Sequence, residues 1–530
     1  MDDHQFNSTA RRFTAARSRR QVLGAAAKGA AGGLGAYLAG ASGARAQETP
    51  TATPTEACEP TIHIRRGIGG LPPAGLEVAS LRAGVAAMRA RPATDPTSWI
   101  YQANMHGTTD TPALPEWSTC QHFNYFFLSW HRMYLYWFER ILRAASGDPL
   151  LALPYWNYSD PAQRALPIVF RQPADAGNAL FAAERNPVNG PGTGINDGAQ
   201  LPAAAVAFTD AFAFTNFSAP DLSLSFSGEL EGTPHGGVHV LVGGDTGLMR
   251  FFETAGRDPI FWLHHANLDR LWQRWLDPAV GGTNPPASDL VWMETPYTFF
   301  DENGQPVIMT GKEIIDTVGQ LGYRYDDDPA SDPGDVDGPP AVATPIPIID
   351  EPATVVAASA PAETIELGAD PVVVPVELGD EAPAIFDAPP TPDAPERLVA
   401  LNLENVRAED GPGVVYEVYL NLAEGEEPDV QGEHYVGSLN LFGLHPRDMA
   451  VMSQEHLAMT KSFNITDNVR AGRESGELED EIDVTFVPRG LIPAAAEDAP
   501  PGATPVAGDA FAAAPPGPWA SIERVTISVR

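Results

Sequence analysis

Apolar residues recur at helical spacing in three stretches of the first 280 residues. Leu76, Val78, Leu81, Val85 and Met88 predict a helix over 76–90, stopped by Pro92 and Pro96. Residues 123–143 read as a strongly aromatic helix, closed by Gly147-Asp-Pro, and residues 260–276 as another. Between these two, residues 171–232 are rich in Gly, Pro, Ala and Ser with little periodicity, which predicts a long loop wrapping a core. Residues 299–304 read as strand and turn. From 327 to 394 Pro, Ala, Val, Asp and Glu dominate, so an acidic linker is expected there, with short strands at 353–357 and 371–377. Beyond it the period changes to two. Residues 396–421, 433–442, 462–468, 481–486 and 519–529 alternate as strands, interrupted by a Pro/Ala-rich insertion around 491–518. The pattern predicts a mainly α region followed by a C-terminal all-β domain, in a 530-residue chain too long for one ordinary core.

The formal net charge of −36 argues against a nucleic-acid partner. Basic residues gather at the start instead. Ser18-Arg19-Arg20-Gln21-Val22-Leu23 precedes an Ala/Gly/Leu stretch ending in Ala44-Arg45-Ala46, the layout of a twin-arginine export signal over residues 1–46. The other reading is a disordered basic tail. An export signal makes the twin-arginine machinery a partner and implies a bacterial protein that is periplasmic or secreted. Lys28 and the small side chains leave this stretch too weak for a durable membrane anchor, and no other run is long enough to span a bilayer. With only Cys58 and Cys120, an exported fold does not rest on a disulfide framework.

Seven of the twelve histidines fall between residues 106 and 265. Imidazole is a natural ligand for copper, zinc, iron or nickel, so the clustering calls for an explanation. His235 and His239 are four apart and share one face of a helix. His264 or His265 can point inward from the helix beginning near 260. His122 and His131 are nine apart and do not share a face by spacing alone, and His106 arrives from beside a Gly-Thr-Thr-Asp-Thr-Pro loop. A single histidine on an aromatic helix is usually a packing residue; this many, among recurring Trp, Phe, Arg and Asp, are not explained by packing.

These segments resemble the two copper-binding regions of the tyrosinase, catechol oxidase and hemocyanin superfamily. The first is carried by His122, Phe127, Trp130, His131, Arg132, Leu135 and Glu139, the second by Asp258, Pro259, Phe261, His265 and Asp269. The resemblance implies a four-helix bundle holding two copper ions, with dioxygen as co-substrate. Carried over residue by residue, it assigns His106, His122 and His131 to one copper and His235, His239 and His265 to the other, leaving His264 beside them. The segment 297–325, with Leu321-Gly-Tyr-Arg-Tyr, resembles the one that follows the catalytic domain in plant polyphenol oxidases. The domains expected are thus a dicopper domain over 47–326, a linker over 327–394 and a shielding β domain over 395–530 that covers the site until displaced.

The same resemblance bears on chemistry. The Cys120-x-His122 arrangement is similar to one in which the cysteine is joined to the histidine ring by a thioether; a Cys58–Cys120 disulfide stays open as the alternative. Glu231 is similar to a family glutamate that orders a water and helps deprotonate a phenol. Gly236 stands where an asparagine is associated with phenol hydroxylation, and Phe252 matches a bulky residue over the first copper. Asp269 is expected to steady a ligand helix or ring. His434, His445 and His456 are expected to be surface or packing residues. Small phenols are the implied substrates, and oxidation of o-diphenols to o-quinones the implied reaction. The alternatives are a tyrosinase hydroxylating monophenols, an o-aminophenol oxidase, and a hemocyanin-like oxygen carrier.

Overall fold

The computed structural model describes residues 61–328 apart from 112, 187–193 and 220. It also describes 353–360, 364–379, Ala382, Phe386, 397–451, 459–476, 481–494 and 517–530. The export signal, Cys58 and His456 lie outside these residues.

The longest helix, Phe127–Ser146, buries Phe127, Trp130, Met133, Tyr134, Leu135, Phe138, Ile141 and Leu142. That spacing makes one wide apolar face. It ends on Gly147, whose φ of +72° suits a residue without Cβ. It starts at Phe127 and not at 123. Phe123 has a φ of +53°, and the Asn124 side chain accepts from the Phe126 N–H at 2.9 Å, a local turn that competes with helix. The helix Leu76–Arg89 packs against it.

The helix Pro259–Trp275 has Pro at its first position and is capped by Asp258, which accepts from the Ile260 N–H at 3.1 Å. Arg185, reaching in from the long connecting segment, holds that same carboxylate at 2.7 Å, both side chains being fully buried. That segment, read as loop, contains short helices at Ala203–Val206, Thr209–Ala213 and Phe226–Leu230. One turn or so is too short to leave a period in the sequence.

A buried polar knot ties the start of the described chain to these helices. Strand His63–Arg65 pairs in parallel with Tyr323–Tyr325. Arg65 donates to Glu139 at 2.8 Å and to Asp269 at 3.1 Å, and Arg132 donates to Asp269 at 2.5 Å. The hydroxyls of Tyr323 and Tyr325 each donate to Asp269 at 2.6 Å. Asp269 thus joins the helix that carries His265 to three other elements; among the described residues it bonds to no imidazole.

The C-terminal region is a ten-stranded sheet whose strand pairs are all antiparallel. Its central run is Val415–Leu420, Glu481–Arg489, Val372–Leu378, Thr354–Ala358, Arg524–Val529 and Val399–Ala408. Two of these, Thr354–Ala358 and Val372–Leu378, belong to the stretch read as linker. Val372–Leu378 sits between two other strands, with Val374 and Val376 buried. The expected linker over 327–394 is therefore too long, because its alternating Val residues are core-facing strand positions. The region is also not purely β, since helices Pro446–Val451 and Thr466–Ser475 connect its strands.

The described residues fall in one compact unit, with one apolar core centred in the helical region and a second in the β region. Among the described residues no helix is long and apolar enough to cross a membrane.

Candidate metal centre

Six imidazoles from six segments converge at the heart of the helical region. His106 is the last residue of the helix Trp99–His106, His131 lies one turn into Phe127–Ser146, and His122 comes from the irregular turn before it. His235 lies in the kinked segment Glu231–Gly236, where Thr233 is extended (φ −135°, ψ 124°), His239 follows in the helix Gly237–Gly243, and His265 faces inward from Pro259–Trp275. Ring centroids of His106, His122 and His131 are 5.0–5.6 Å apart, and those of His235, His239 and His265 4.6–5.6 Å apart. The two triads face each other, His131 stacking on His265 at 4.4 Å. The donor atoms do not divide as cleanly: nitrogens of His106, His131 and His265 lie within 4.8 Å of one another, as do those of His235, His239, His264 and His265.

The tautomers are set by main-chain carbonyls. Nδ1 of His106 bonds to the Phe252 carbonyl at 3.0 Å, of His131 to Phe127 at 2.8 Å, of His235 to Glu231 at 2.9 Å and of His239 to Met249 at 2.8 Å. A carbonyl only accepts, so each Nδ1 carries the proton and each Nε2 keeps a bare lone pair. Nε2 of His106, His131 and His235 has no partner among the described residues, and both nitrogens of His122 are equally free. Nε2 of His239 faces Nε2 of His265 at 3.4 Å. Burial holds every one of these rings neutral, His106 titrating only at about 4 and the others well below the usual histidine range. Buried lone pairs without partners are costly unless a cation takes them. This all-nitrogen donor set, with His106, His131, His235 and His239 held by second bonds to the backbone, fits copper ions.

The other singled-out residues surround this cluster. Cys120 is half-buried, with Sγ within 4.8 Å of nitrogens of His106 and His122. Glu231 is buried and accepts from the Phe123 N–H at 2.7 Å; burial pushes its carboxyl well above the usual range, the hydrogen bond partly opposing this. Phe252 is fully buried with its ring 4.4 Å from that of His122. Gly236 directly follows His235 at the end of the kinked segment. His264 pairs through Nδ1 with the Tyr158 hydroxyl at 3.0 Å. His434 and His445 lie away from the cluster, against the Leu420 carbonyl and Asp410.

Sequence reasoning missed two residues of this site. Phe442, in the turn after the strand Tyr435–Asn440, lies flat on His239 with centroids 4.1 Å apart, and also packs on Phe252 at 4.7 Å. Asn440 donates to the Gly232 carbonyl at 2.7 Å. Both come from the β region, some two hundred residues from the histidines, and nothing local in Leu-Asn-Leu-Phe-Gly marks them. Across the same interface Lys461 grips both oxygens of Glu229 at 2.9 and 3.0 Å, Asp448 accepts from the Phe252 N–H at 2.8 Å, and Arg447 pairs with Glu253. The metal-side rings are consequently sealed from solvent, none more than 3% exposed.

Comparison with known proteins places these features together. Residues 96–211 and 198–277 match the common central domain of tyrosinase, 287–331 the polyphenol oxidase middle domain, and 352–497 a domain of unknown function. A tyrosinase of Hahella sp. (strain CCB-MM4) is 30% identical over 465 residues, covering 76% of this chain and 90% of that protein. The (+)-larreatricin hydroxylase of Larrea tridentata is 35% identical over 274 residues, but this match spans only 46% of this chain and 45% of the plant protein. Among solved structures, latent apple tyrosinase superposes with a TM-score of 0.59 over 89% of this chain and 97% of that one, at 23% identity, a likeness of fold.

Proposed function

The chain belongs to the tyrosinase and polyphenol oxidase family, and from that premise we propose that it is a latent catechol oxidase. It is a copper-dependent oxidoreductase by family; the proposal concerns its metal ligands, its substrate and its control. The substrates are small o-diphenols, converted to o-quinones with dioxygen as oxidant. His106, His122 and His131 hold one copper ion, and His235, His239 and His265 the other. The observation that carries this is the convergence of Nε2 lone pairs whose opposite ring nitrogens are tied to main-chain carbonyls.

Copper held by these six histidines would supply the redox chemistry, two catechols giving up two electrons and two protons each for every dioxygen reduced to two waters. The chain supplies everything else. The neutral rings themselves add no charge to the pocket. Glu231, with its raised proton affinity, takes a proton from the phenolic hydroxyl. Phe252 narrows the approach over His122, and Gly236 offers no amide to orient a water with Glu231. Both features favour o-diphenols over monophenols. Phe442 stands where an aromatic substrate ring would lie, so turnover requires the β region to move.

The test is oxygen uptake by the copper-loaded chain cut within 329–351, with 4-methylcatechol against tyramine. Rapid uptake with the diphenol and little with the monophenol is expected. The name of the Hahella relative, a tyrosinase, favours a second reading, monophenol hydroxylation; comparable uptake with both substrates decides for it. We propose export on Arg19-Arg20 and Ala44-Arg45-Ala46, which N-terminal sequencing of the mature protein tests by finding Gln47 first.

A further inference from the structure

The glycine after His235 is tied to the β region by direct contact. A Cβ built on Gly236 would fall 2.1 Å from Oδ1, 2.5 Å from Cγ and 2.7 Å from Nδ2 of Asn440. The Asn440 carboxamide occupies the space that a side chain at 236 would fill. That carboxamide is held at both ends. Nδ2 donates to the Gly232 carbonyl at 2.7 Å, within the same kinked segment, and Oδ1 accepts from the Phe442 N–H at 3.0 Å. The second bond turns the chain after Asn440 so that Phe442 lands on His239. Swinging the carboxamide aside breaks one or both bonds.

The fit is close on the other side as well. A Cβ on Gly443 would meet the rings of Phe123 and Phe252 at 2.6 and 2.7 Å, and Gly443 has a φ of +75°. One on Gly413 would meet the Val240 carbonyl at 2.6 Å.

We propose that Gly236 is a docking notch for Asn440, and that Asn440 is the positioning residue that seats Phe442 over the site. Position 236 then sets how firmly the β region closes the site, in addition to any influence on substrate choice. The inference rests on the latency part of the proposed function. It gives the glycine a purpose that the oxidation chemistry does not require.

The test compares wild type, Gly236→Ala, Asn440→Ala and the double variant as full-length, copper-loaded chains. Oxygen uptake with 4-methylcatechol is measured before and after a cut within 329–351, and size-exclusion chromatography of the cut protein measures how much β fragment stays bound. In Gly236→Ala the intact-to-cut activity ratio should rise roughly fivefold or more, as overpacking loosens the contact, and the β fragment should separate. Asn440→Ala should also raise the ratio, since Phe442 loses its support. The double variant should recover fragment retention relative to Gly236→Ala, because removing the carboxamide makes room for the methyl group. Two coppers per chain in every variant show that the fold is intact. A Gly236→Ala chain with an unchanged ratio and a retained fragment overturns the notch. If wild type is equally active before and after cutting, latency fails; fragment retention by the single and double variants then still decides the notch.

Discussion

Phe442 of the β region and His239 of the helical region lie face to face, 4.1 Å between ring centroids and 15° between planes. A phenol ring approaching the second triad would need the same place. Truncating this side chain should therefore open the site without touching a ligand. In intact Phe442→Ala, diphenol turnover is expected to rise about tenfold, since a buried aromatic truncation costs about 3–5 kcal/mol of packing at this contact. Oxygen uptake with 4-methylcatechol, set beside copper content, checks it. Unchanged latency would move the block to the ion pairs farther out.

His264 and His265 are neighbours with different surroundings. His264 is engaged by the Tyr158 hydroxyl, whereas Nε2 of His265 faces that of His239. His265→Ala should retain one copper per chain and His264→Ala two, measured by atomic absorption after dialysis. Equal copper in the two variants would reverse the ligand assignment.

Glu231→Gln keeps an acceptor for the Phe123 N–H but removes the proton-accepting carboxylate. After the chain is cut, kcat for 4-methylcatechol should fall about a hundredfold with copper content unchanged, the scale of general-base catalysis. A loss below threefold would leave Glu231 with a structural role only.

Asp269 joins Arg65, Arg132, Tyr323 and Tyr325 in one buried cluster. Burial alone would raise its pKa, but Arg132, Arg65 and the two hydroxyls outweigh that and hold the carboxyl below its ordinary value. Arg65 and Arg143 do the same for Glu139. A depressed carboxyl contributes stability that is complete above the ordinary carboxylate range, about pH 4, and is lost as pH falls through the lowered value. Thermal stability should accordingly hold from pH 7 to about 5 and drop steeply below about 4. Asp269→Asn should cost about 3–5 kcal/mol at pH 7, because buried Arg132 loses its counter-charge and Arg65 one of its two. Denaturant melts across pH test both; a variant within 1 kcal/mol of wild type would show that the cluster is not what secures this helix.

Much of the helical region was legible because its helices are long enough to show their period. The helix Leu76–Arg89 and the helix Pro259–Trp275 fall within a residue of their expected bounds. The aromatic helix starts four residues later than expected, since the turn at Phe123 and Asn124 outweighs an apolar pattern that runs through it. The strands at 354–358 and 372–378 were seen, yet were assigned to a linker. Alternation reports that one face is buried, but not which sheet buries it.

The sequence by itself determined the chemistry: which histidines recur, in what order, and beside which aromatic and acidic residues. Those relations are carried by short spacings within single elements, so they survive without coordinates. Only the tertiary structure decided which carbonyls fix the imidazole tautomers, that Asp269 serves a buried charge cluster, and that Phe442 and Asn440 enter the site. The carbonyls bonded to His131 and His235 lie only four residues back, but that of His106, and the partners of Asp269, Asn440 and Phe442, lie far away in the chain. Such long-range contacts form when separate elements pack together, and they leave no periodic trace in either segment.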